Sequence, residues 1–366
     1  MTNANQNEIY LSSSPHFTKG LSTQKIMALV LIALLPESIF GIVLFGLRAL
    51  MTILVSVISC VAFEALFQVI VKQKVQVNNL SAAVTGLMLA LVLPPTTPLW
   101  MTVLGAFIAV VVAKGLFGGL GANVFNPALT GRAFLFISFG AALGASWLHI
   151  DSAVNLWSLS DPASSAVDAI SSATVMSLVK GGTLPVTMDL VKDCFFGTVS
   201  GCIGETSALL ILISFVFLLV TKVIDPRASI SMVLTVALSS FIYSLCADKN
   251  LPYAAVYTLY QIVSGGLLFG AVFMITDYTT APVTSWGRII FGAGAGIITF
   301  LIRTFGGYPE GVMFSILIMN TLASFLNNIT TRKYGYGKKA EKKSVPKFLE
   351  QTFDVSNAVE RKEESK

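Results

Sequence analysis

A run of small hydroxyl residues interrupts this otherwise apolar chain at residues 168–182, which read DAISSATVMSLVKGG. Asp168 precedes the hydroxyls of Ser171, Ser172 and Thr174. A phosphoester bond needs an oxygen of this kind, so the segment is a candidate for covalent modification. Its spacing also fits a helix start, with Ser171 or Ser172 as the N-cap residue.

Three acids lie within or at the ends of apolar runs. Glu37 follows Pro36, Glu64 lies in the second run, and Asp277 ends the eighth. Because ionisable side chains are costly inside a membrane, each acid is a candidate for binding Na⁺ or relaying H⁺. The alternative for Glu37 and Asp277, which lie near breaks or ends of runs, is capping or an interhelical hydrogen bond.

A glycine-rich segment, GGLGANVFNPALTGRAFL, occupies residues 118–135. Glycines let the backbone approach a ligand or a neighbouring helix closely. Asn126 and Arg132 are polar groups at the start of an apolar run, where they need partners. The segment therefore predicts either a ligand site or close helix packing, and spacing alone favours neither.

Several classes of site are excluded by the residues available. With only His16 and His149, a histidine-ligated metal or haem site is not expected. Cys194 and Cys202 are eight positions apart, which is not a usual metal spacing and leaves a disulfide open. No GxGxxG motif opens a helix, and no cysteine cluster suits an iron–sulfur centre. We predict no catalytic residue and no metal site in this chain.

The composition is that of an integral membrane protein. Of 366 residues, 54% are hydrophobic and 12% are charged, and the mean hydropathy is +0.78; soluble domains have about 25% charged residues. Continuous apolar runs long enough to cross about 30 Å of hydrocarbon predict helices rather than the alternating strands of a barrel. The ten predicted spans are 25–47, 49–71, 79–95, 98–117, 126–148, 207–224, 228–247, 256–276, 286–304 and 310–328.

The distribution of charge predicts the orientation in the membrane. Residues 327–366 hold ten Lys/Arg and six Asp/Glu, whereas 149–206 holds six acids and two lysines. Since cytoplasmic loops carry an excess of Lys and Arg, we expect both termini in the cytoplasm. The start of the chain lacks the pattern of a cleaved signal peptide. The predicted divisions are a cytoplasmic segment 1–24, a first membrane half 25–148, an external loop 149–206, a second half 207–328 and a basic cytoplasmic tail 329–366.

The two membrane halves resemble each other in the order of their motifs. VTGLMLALVLPPTTP (84–98) is similar to VSGGLLFGAVFMITDYTTAP (263–282), and the segment 118–135 is similar to GGYPEGVMFSILIMNTLASFL (306–326). Each half has five predicted helices, and an odd number would invert the second half. Inverted repeats with broken helices are a transporter architecture. Chance similarity among apolar segments is the alternative.

The motif Asp-x-x-Ser-Ser-Ala-Thr at 168–174 resembles the acceptor motif for covalent flavinylation. In that reaction a flavin transferase esterifies the threonine with the phosphate of FMN. With the segment 118–135, the long external loop and the glycine-rich second half, the chain resembles, from about residue 18 to 335, the family that contains the D subunit of the Rnf complex. The B subunit of the sodium-pumping NADH:quinone reductase is a relative. Ser172, where the family often has glycine, is a departure that leaves Thr174 in place.

The resemblance implies specific roles for named residues. Thr174 would carry FMN, with Asp168 presenting the segment to the transferase and Ser171, Ser172 and Ala173 imposing little bulk. Lys180 would contact the FMN phosphate or remain a solvated loop lysine. The family relation also suggests a second, noncovalent flavin, riboflavin, near Asn126 and Arg132.

The implied function is that of a membrane subunit in a ferredoxin:NAD⁺ oxidoreductase that moves Na⁺ or H⁺. Its partners would be the A, B, C, E and G subunits, the flavin transferase and the lipid of the cell inner membrane, with no nucleic acid. The quinone-reductase B subunit is the nearest alternative, although that family has a longer polar N-terminal region. A solute channel of the urea-transporter type shares the predicted inverted five-helix repeat, and a purely structural subunit is a third possibility.

Overall fold

The computed structural model describes residues 22–144, 175–199, 201–247, 250–308 and 310–330, and within these ranges the regular structure is helical. In the first half, the helices are α1 (Thr23–Phe45), α2 (Leu47–Ile70), α3 (Ser81–Leu91), α4 (Leu99–Phe107, continued as a π-helix over Ile108–Gly115), α5 (Pro127–Ser138) and α6 (Gly140–Gly144). The segment that follows forms α7 (Val175–Lys180) and α8 (Met188–Phe196). In the second half, they are α9 (Ala208–Val220), α10 (Pro226–Cys246), α11 (Leu251–Val263), α12 (Leu267–Phe269, continued as a π-helix over Gly270–Met274), α13 (Ser285–Phe305) and α14 (Val312–Thr330).

The chain is an all-α membrane protein, as its composition predicts. Each of the ten predicted spans coincides with a helix or a pair of helices. In the described residues, however, only five helices are long and apolar enough to cross a membrane, or six if α11 and α12 form one span bent by 57°. Helices α3, α9 and the continuous α4 are shorter. The arrangement as ten spans in two inverted repeats therefore stays a prediction.

Helix starts follow from local sequence signals. Asn126 accepts a hydrogen bond from the amide of Leu129, and Pro127 occupies the first position of α5. Asp225 likewise accepts from the amide of Arg227 at the start of α10. These side chains satisfy amide groups that lack partners in the first turn of a helix.

Large apolar side chains point away from the protein along the long helices. On α10, Ile230, Leu234, Leu238 and Ile242 are spaced four residues apart and are exposed. Lipid tails solvate such a stripe as well as a protein interior would, so it needs no covering. The stripe is the face that we expect to contact lipid.

Two helices begin shortly after a residue with positive φ. Leu80, with φ of +61°, precedes α3, and Gly265, with φ of +64°, lies between α11 and α12. Both residues lie at or near the segments that the repeat hypothesis pairs, 84–98 and 263–282, and at Gly265 the chain is broken into α11 and α12. Broken helices expose backbone groups at membrane depth, which is tolerated where they are buried in protein or line a cavity.

The segment after the predicted attachment residue packs against the second half. Val186, Val191, Cys194 and Tyr260 form a buried apolar cluster that joins this segment to α11. Further along, the amides of Ile203 and Gly204 donate to the carbonyls of Leu93 and Leu91 at 3.2 and 2.8 Å. These bonds satisfy carbonyls at the end of α3. The described part of the loop therefore packs against both α11 and the end of α3.

Candidate functional site

Two polar regions lie where the first and second halves of the chain meet. One is a cavity of about 100 Å³, which we call the inner cavity because the predicted topology places it toward the cytoplasm. The other is a cluster of buried and partly buried charges nearer α7. The inner cavity is lined by polar residues of both halves, among them Ser81, Lys114, Asn123, Asn126 and Asp277.

Two asparagines of the glycine-rich segment connect the halves across the inner cavity. The amide of Asn123 donates to Thr279 Oγ1 at 2.8 Å, and that of Asn126 donates to the carbonyl of Met274 at 3.4 Å. Asn126 combines this contact with its capping of α5. The predicted need of Asn126 for a partner is therefore met by the protein.

Asp277 lies three residues after the end of the π-helical continuation of α12 and lines the same cavity. Its carboxylate accepts hydrogen bonds from the hydroxyls of Thr279 and Thr280 at 3.1 and 3.3 Å. Since Thr279 also accepts from Asn123, a chain of hydrogen bonds runs from the first half to this acid. These hydrogen bonds fit the alternative in which Asp277 has a structural capping role. Asp277 also lies beside the cavity, so a role in ion binding stays a prediction.

Glu64 forms a buried ion pair with Lys114, a residue that sequence analysis did not single out. Lys114 Nζ lies 2.8 Å from Glu64 Oε2 and also donates to Ser81 Oγ at 2.6 Å. The side chains of Lys114 and Glu64 are 4% and 7% exposed, respectively. A buried charge without a partner is strongly destabilising, so each side chain needs the other.

Glu37 lies in the middle of α1 and is only 2% exposed. Neither carboxylate oxygen makes a hydrogen bond of normal geometry to a described residue. Ser214 of α9 is near it, but its hydroxyl donates to the carbonyl of Ala33 at 2.7 Å. Because an isolated buried carboxylate is very costly, Glu37 requires a proton or a cation as its partner.

Arg132 lies in the second region, apart from Asn126. Its guanidinium donates to Glu205 at 3.2 Å and to Glu310 at 3.1 Å, and it contacts Cys202 Sγ at 3.4 Å. The three charged residues come from α5, from the segment before α9 and from the segment before α14. The cluster therefore joins three parts of the chain that are distant in sequence.

Another arginine, which is buried, stabilises the break between α11 and α12. Arg303 of α13 donates to the carbonyl and side-chain oxygens of Gln261 at 2.6 and 3.2 Å and to the carbonyl of Ser264 at 3.2 Å. These carbonyls lie at the end of α11, where no further helical amide reaches them. A side chain added at Gly265 would meet Glu310, Met176 and Arg303, which shows how closely α7 approaches this break.

Lys180 ends α7 and binds the end of α13. Its ammonium donates to the carbonyls of Gly306 and Tyr308 at 2.5 and 3.0 Å. Partial burial lowers the pKa of Lys180. Lys180 is thus exposed, as in the solvated alternative considered from sequence, and it also has protein partners. Contact with a phosphate stays a prediction.

The remaining predicted residues of the attachment motif, Asp168, Ser171, Ser172, Ala173 and Thr174, lie outside the described residues. The described chain resumes at Val175, directly after Thr174. Cys194 and Cys202 are free and buried, and burial raises the pKa of the Cys194 thiol to about 12.

Sequence analysis missed four residues that take part in these regions: Lys114, Glu205, Arg303 and Glu310. A signal for Lys114 was present, since a lysine and a glutamate inside apolar runs each need a partner of opposite charge. Their pairing across 50 positions of sequence is a property of the tertiary structure.

Comparison with known proteins gives consistent matches over most of the chain. A family model described as the NQR2, RnfD, RnfE family matches residues 10–335. The chain is 39% identical over 339 residues to the D subunit of the Na(+)-translocating ferredoxin:NAD(+) oxidoreductase complex of Acetobacterium woodii, covering 91% of the chain and 98% of that relative. It is 36% identical over 335 residues to the D subunit of the proton-translocating ferredoxin:NAD(+) oxidoreductase complex of Clostridium ljungdahlii, covering 89% and 95%. The D subunit of the ion-translocating oxidoreductase complex of Escherichia coli K12 is 36% identical over 353 residues, covering 90% and 99%.

Proposed function

We propose, from the premise that this chain belongs to the NQR2, RnfD, RnfE family, that it is the D subunit of an ion-translocating electron-transfer complex. The family resemblance predicted from sequence is confirmed. The observation that carries the proposal is the match along nearly the full length of relatives that are named as the D subunit of such complexes. The names of two relatives specify Na⁺ and protons respectively, so the family leaves the coupling ion of this chain open.

The proposed complex transfers electrons between ferredoxin and NAD⁺, and this chain supplies part of its membrane domain. Ferredoxin and NAD⁺ would bind to partner subunits, since this sequence has neither a GxGxxG motif at a helix start nor a cysteine cluster. We assign the A, B, C, E and G subunits as those partners by the family resemblance. Two alternative functions differ from this proposal. The quinone-reductase B subunit would serve a complex whose electron acceptor is a quinone. A solute channel would need no flavin.

The cofactor in this proposal is FMN, held on Thr174 through a phosphoester. When bound, FMN accepts and releases electrons. Support comes from the motif at 168–174 and from the described residues that follow it. Met176 and Val179 line a cavity, and Lys180 donates a hydrogen bond to the carbonyl of Gly306 at the end of α13. These contacts hold α7, which begins directly after Thr174, against the second half of the chain.

A second, noncovalent flavin has less support. Asn123, Asn126 and Lys114 line the inner cavity and carry N–H groups that could donate hydrogen bonds to a flavin. Its volume of about 100 Å³ is below the about 300–1,000 Å³ of typical small-molecule pockets. Riboflavin would therefore require the cavity to widen. Arg132, which sequence analysis grouped with Asn126, contacts the charged cluster instead.

The ion path would use the buried acids. Glu37 has neither an ion-pair partner nor a hydrogen bond of normal geometry among the described residues, which suits a group that binds and releases a cation. Glu64 is held by Lys114, so a cation would compete with the ammonium for it. Asp277 lies beside the inner cavity. We propose these three acids as the candidates.

We propose that both termini are cytoplasmic and that the loop 149–206 is external. In a chain with Cys246→Ala, which removes the exposed native thiol, a cysteine placed at Ser164 is expected to react with an impermeant thiol reagent in intact cells. One placed at Ser356 is expected to react only after the cells are opened. Cys194 is buried and its thiol has a raised pKa of about 12, so it should add little background. The opposite labelling pattern would reverse the orientation.

The function is tested with inverted membrane vesicles from cells that have or lack this chain. Vesicles with the chain are expected to reduce NAD⁺ with reduced ferredoxin and to accumulate Na⁺ or H⁺. Those without it should lose both, and restoring the chain should restore both. Ferredoxin-dependent NAD⁺ reduction and ion uptake that persist without the chain would contradict the proposal. Activity that requires a quinone in place of NAD⁺ reduction would favour the quinone-reductase alternative.

A further inference from the structure

A group of basic side chains lies where α10 and α13 begin. Lys222 and Arg227 come from the connection into α10 and from its first turn, and Arg288 comes from the first turn of α13. Arg227 donates to the hydroxyl of Ser285, and Arg288 donates to the carboxylate of Asp225 at 2.5 Å. We call these five residues the basic corner. Its three cations and one acid give it a net charge of +2.

Helices α10 and α13 run side by side in the same direction. Near their starts, Ser231 donates to the carbonyl of Ile289 at 2.7 Å, and further along both helices the rings of Tyr243 and Phe300 pack with centroids 6.0 Å apart. Gly292 permits this close approach, since a Cβ there would lie 2.2 Å from a carbonyl oxygen of α10. The positive ends of both helix dipoles therefore meet at the basic corner.

The single acid of the basic corner leaves positive charge and N–H donors available to a ligand. The Arg227 side chain is 48% exposed, and its Nε is 3.9 Å from Asp225 Oδ1, which is too long for a hydrogen bond. Lys222 is exposed as well. Asp277, an acid that precedes α13, lines the inner cavity and accepts from two threonine hydroxyls, and within the described ranges it forms no ion pair with these cations. The surplus charge calls for an anionic partner.

The surroundings of the basic corner are those of a membrane surface. Both α10 and α13 are long and apolar enough to cross a membrane, so their starts lie at the edge of the hydrocarbon layer. Ile230 and Leu234 are exposed and follow Arg227 on the same face of α10, three and seven residues later. On α13 the exposed Trp286 precedes the exposed Ile290 by one turn, and tryptophan is enriched at membrane–water interfaces. A charged end followed by an apolar stripe matches a phospholipid.

We propose that the basic corner binds the phosphate headgroup of an anionic phospholipid whose acyl chains lie along Ile230 and Leu234. A guanidinium donates to phosphate oxygens in pairs, and the positive ends of helices favour anions. Basic residues beside a membrane helix attract anionic lipids in the same way. A lipid fits better than a soluble phosphate, because only the lipid also uses the apolar stripe. The site involves neither the flavin nor the transported ion, so it is independent of the proposed function.

The test counts lipids on the full chain by native mass spectrometry. The chain is extracted in neutral detergent and titrated with dioleoylphosphatidylglycerol, or with dioleoylphosphatidylcholine for comparison. Lys222→Gln/Arg227→Gln removes two cations of the basic corner. Lys72→Gln/Lys74→Gln is the matched control, because it removes two exposed lysines from the connection after α2 and gives the same net charge. The backbones match too, since Lys72 and Lys222 have φ of +59° and +55°.

The wild-type chain is expected to hold one phosphatidylglycerol more tightly than phosphatidylcholine. The corner variant should weaken this binding by about fivefold or more, whereas the control should match the wild type. An equal loss in both double variants would reveal only an effect of net charge, and no loss in the corner variant would place the lipid elsewhere; either result overturns the proposal. Complete displacement of the lipid by millimolar inorganic phosphate would also overturn it, because the acyl chains would then contribute nothing.

A measurement on the wild-type chain within its complex keeps the proposal testable if the corner variant fails to fold. Phosphatidylglycerol with a photoactivatable acyl chain is expected to crosslink to residues 228–238, which carry Ile230 and Leu234. The corresponding phosphatidylcholine should label this peptide several-fold less. Equal labelling by both lipids would show that the headgroup is not recognised. If neither lipid labels the peptide, a partner subunit covers the corner and the proposal is wrong.

Discussion

Thr174→Ala is expected to abolish covalent attachment of FMN and to leave the chain folded in the membrane. A phosphoester needs a side-chain oxygen, and alanine supplies none. The fold should persist because the contacts that dock α7 come from Met176, Val179 and Lys180, which the variant retains. Thr174→Ser keeps a hydroxyl and should be modified in part. Asp168→Ala should lower modification if this acid presents the segment to the transferase.

Peptide mass spectrometry of residues 169–180 from cells that have the flavin transferase measures this result. Thr183→Ala is a matched control, because Thr183 is a nearby threonine whose hydroxyl only donates to the carbonyl of Leu178 at 2.8 Å. That variant is expected to keep the adduct. A wild-type peptide without the FMN mass in those cells would disprove the central assignment.

Glu64→Gln is expected to destabilise the protein and to impair coupled ion transport, with FMN still attached. The variant leaves the Lys114 ammonium buried beside an amide in place of a carboxylate. Breaking a buried ion pair in this way costs about 3–5 kcal/mol. The adduct should survive because Glu64 pairs with Lys114, which lines the inner cavity on the opposite side from α7 in the predicted topology. Thermal unfolding of the extracted complex and Na⁺ or H⁺ uptake by vesicles measure the two effects.

The double variant Glu64→Gln/Lys114→Met separates a structural role from a role in transport. Replacing both partners removes the uncompensated charge, so most of the lost stability should return. If Glu64 binds the transported ion, uptake should remain low although the fold has recovered. Normal uptake by the double variant, at low Na⁺ and across pH, would show that the pair is structural only.

The sequence by itself determined the class of the protein, most helix positions and the family. Continuous apolar runs identify membrane helices because every backbone polar group must be satisfied within the segment. Each predicted span coincides with a helix for this reason. Local signals also sufficed at helix starts, as at Asn126 and Pro127, because a cap and its partner are only three residues apart. The family followed from motifs that are contiguous in sequence, such as 118–135.

Only the tertiary structure decided which charges are partners. Lys114 was not singled out from the sequence, yet it pairs with Glu64 across 50 positions. Arg132 was grouped with Asn126, yet it contacts Glu205 and Glu310. The physical reason is that helical periodicity specifies which face of a helix is apolar and leaves open which other helix that face meets. The cavity of about 400 Å³ between α7 and the helices α10, α11 and α13 is a further case, since no local pattern brings these four helices together.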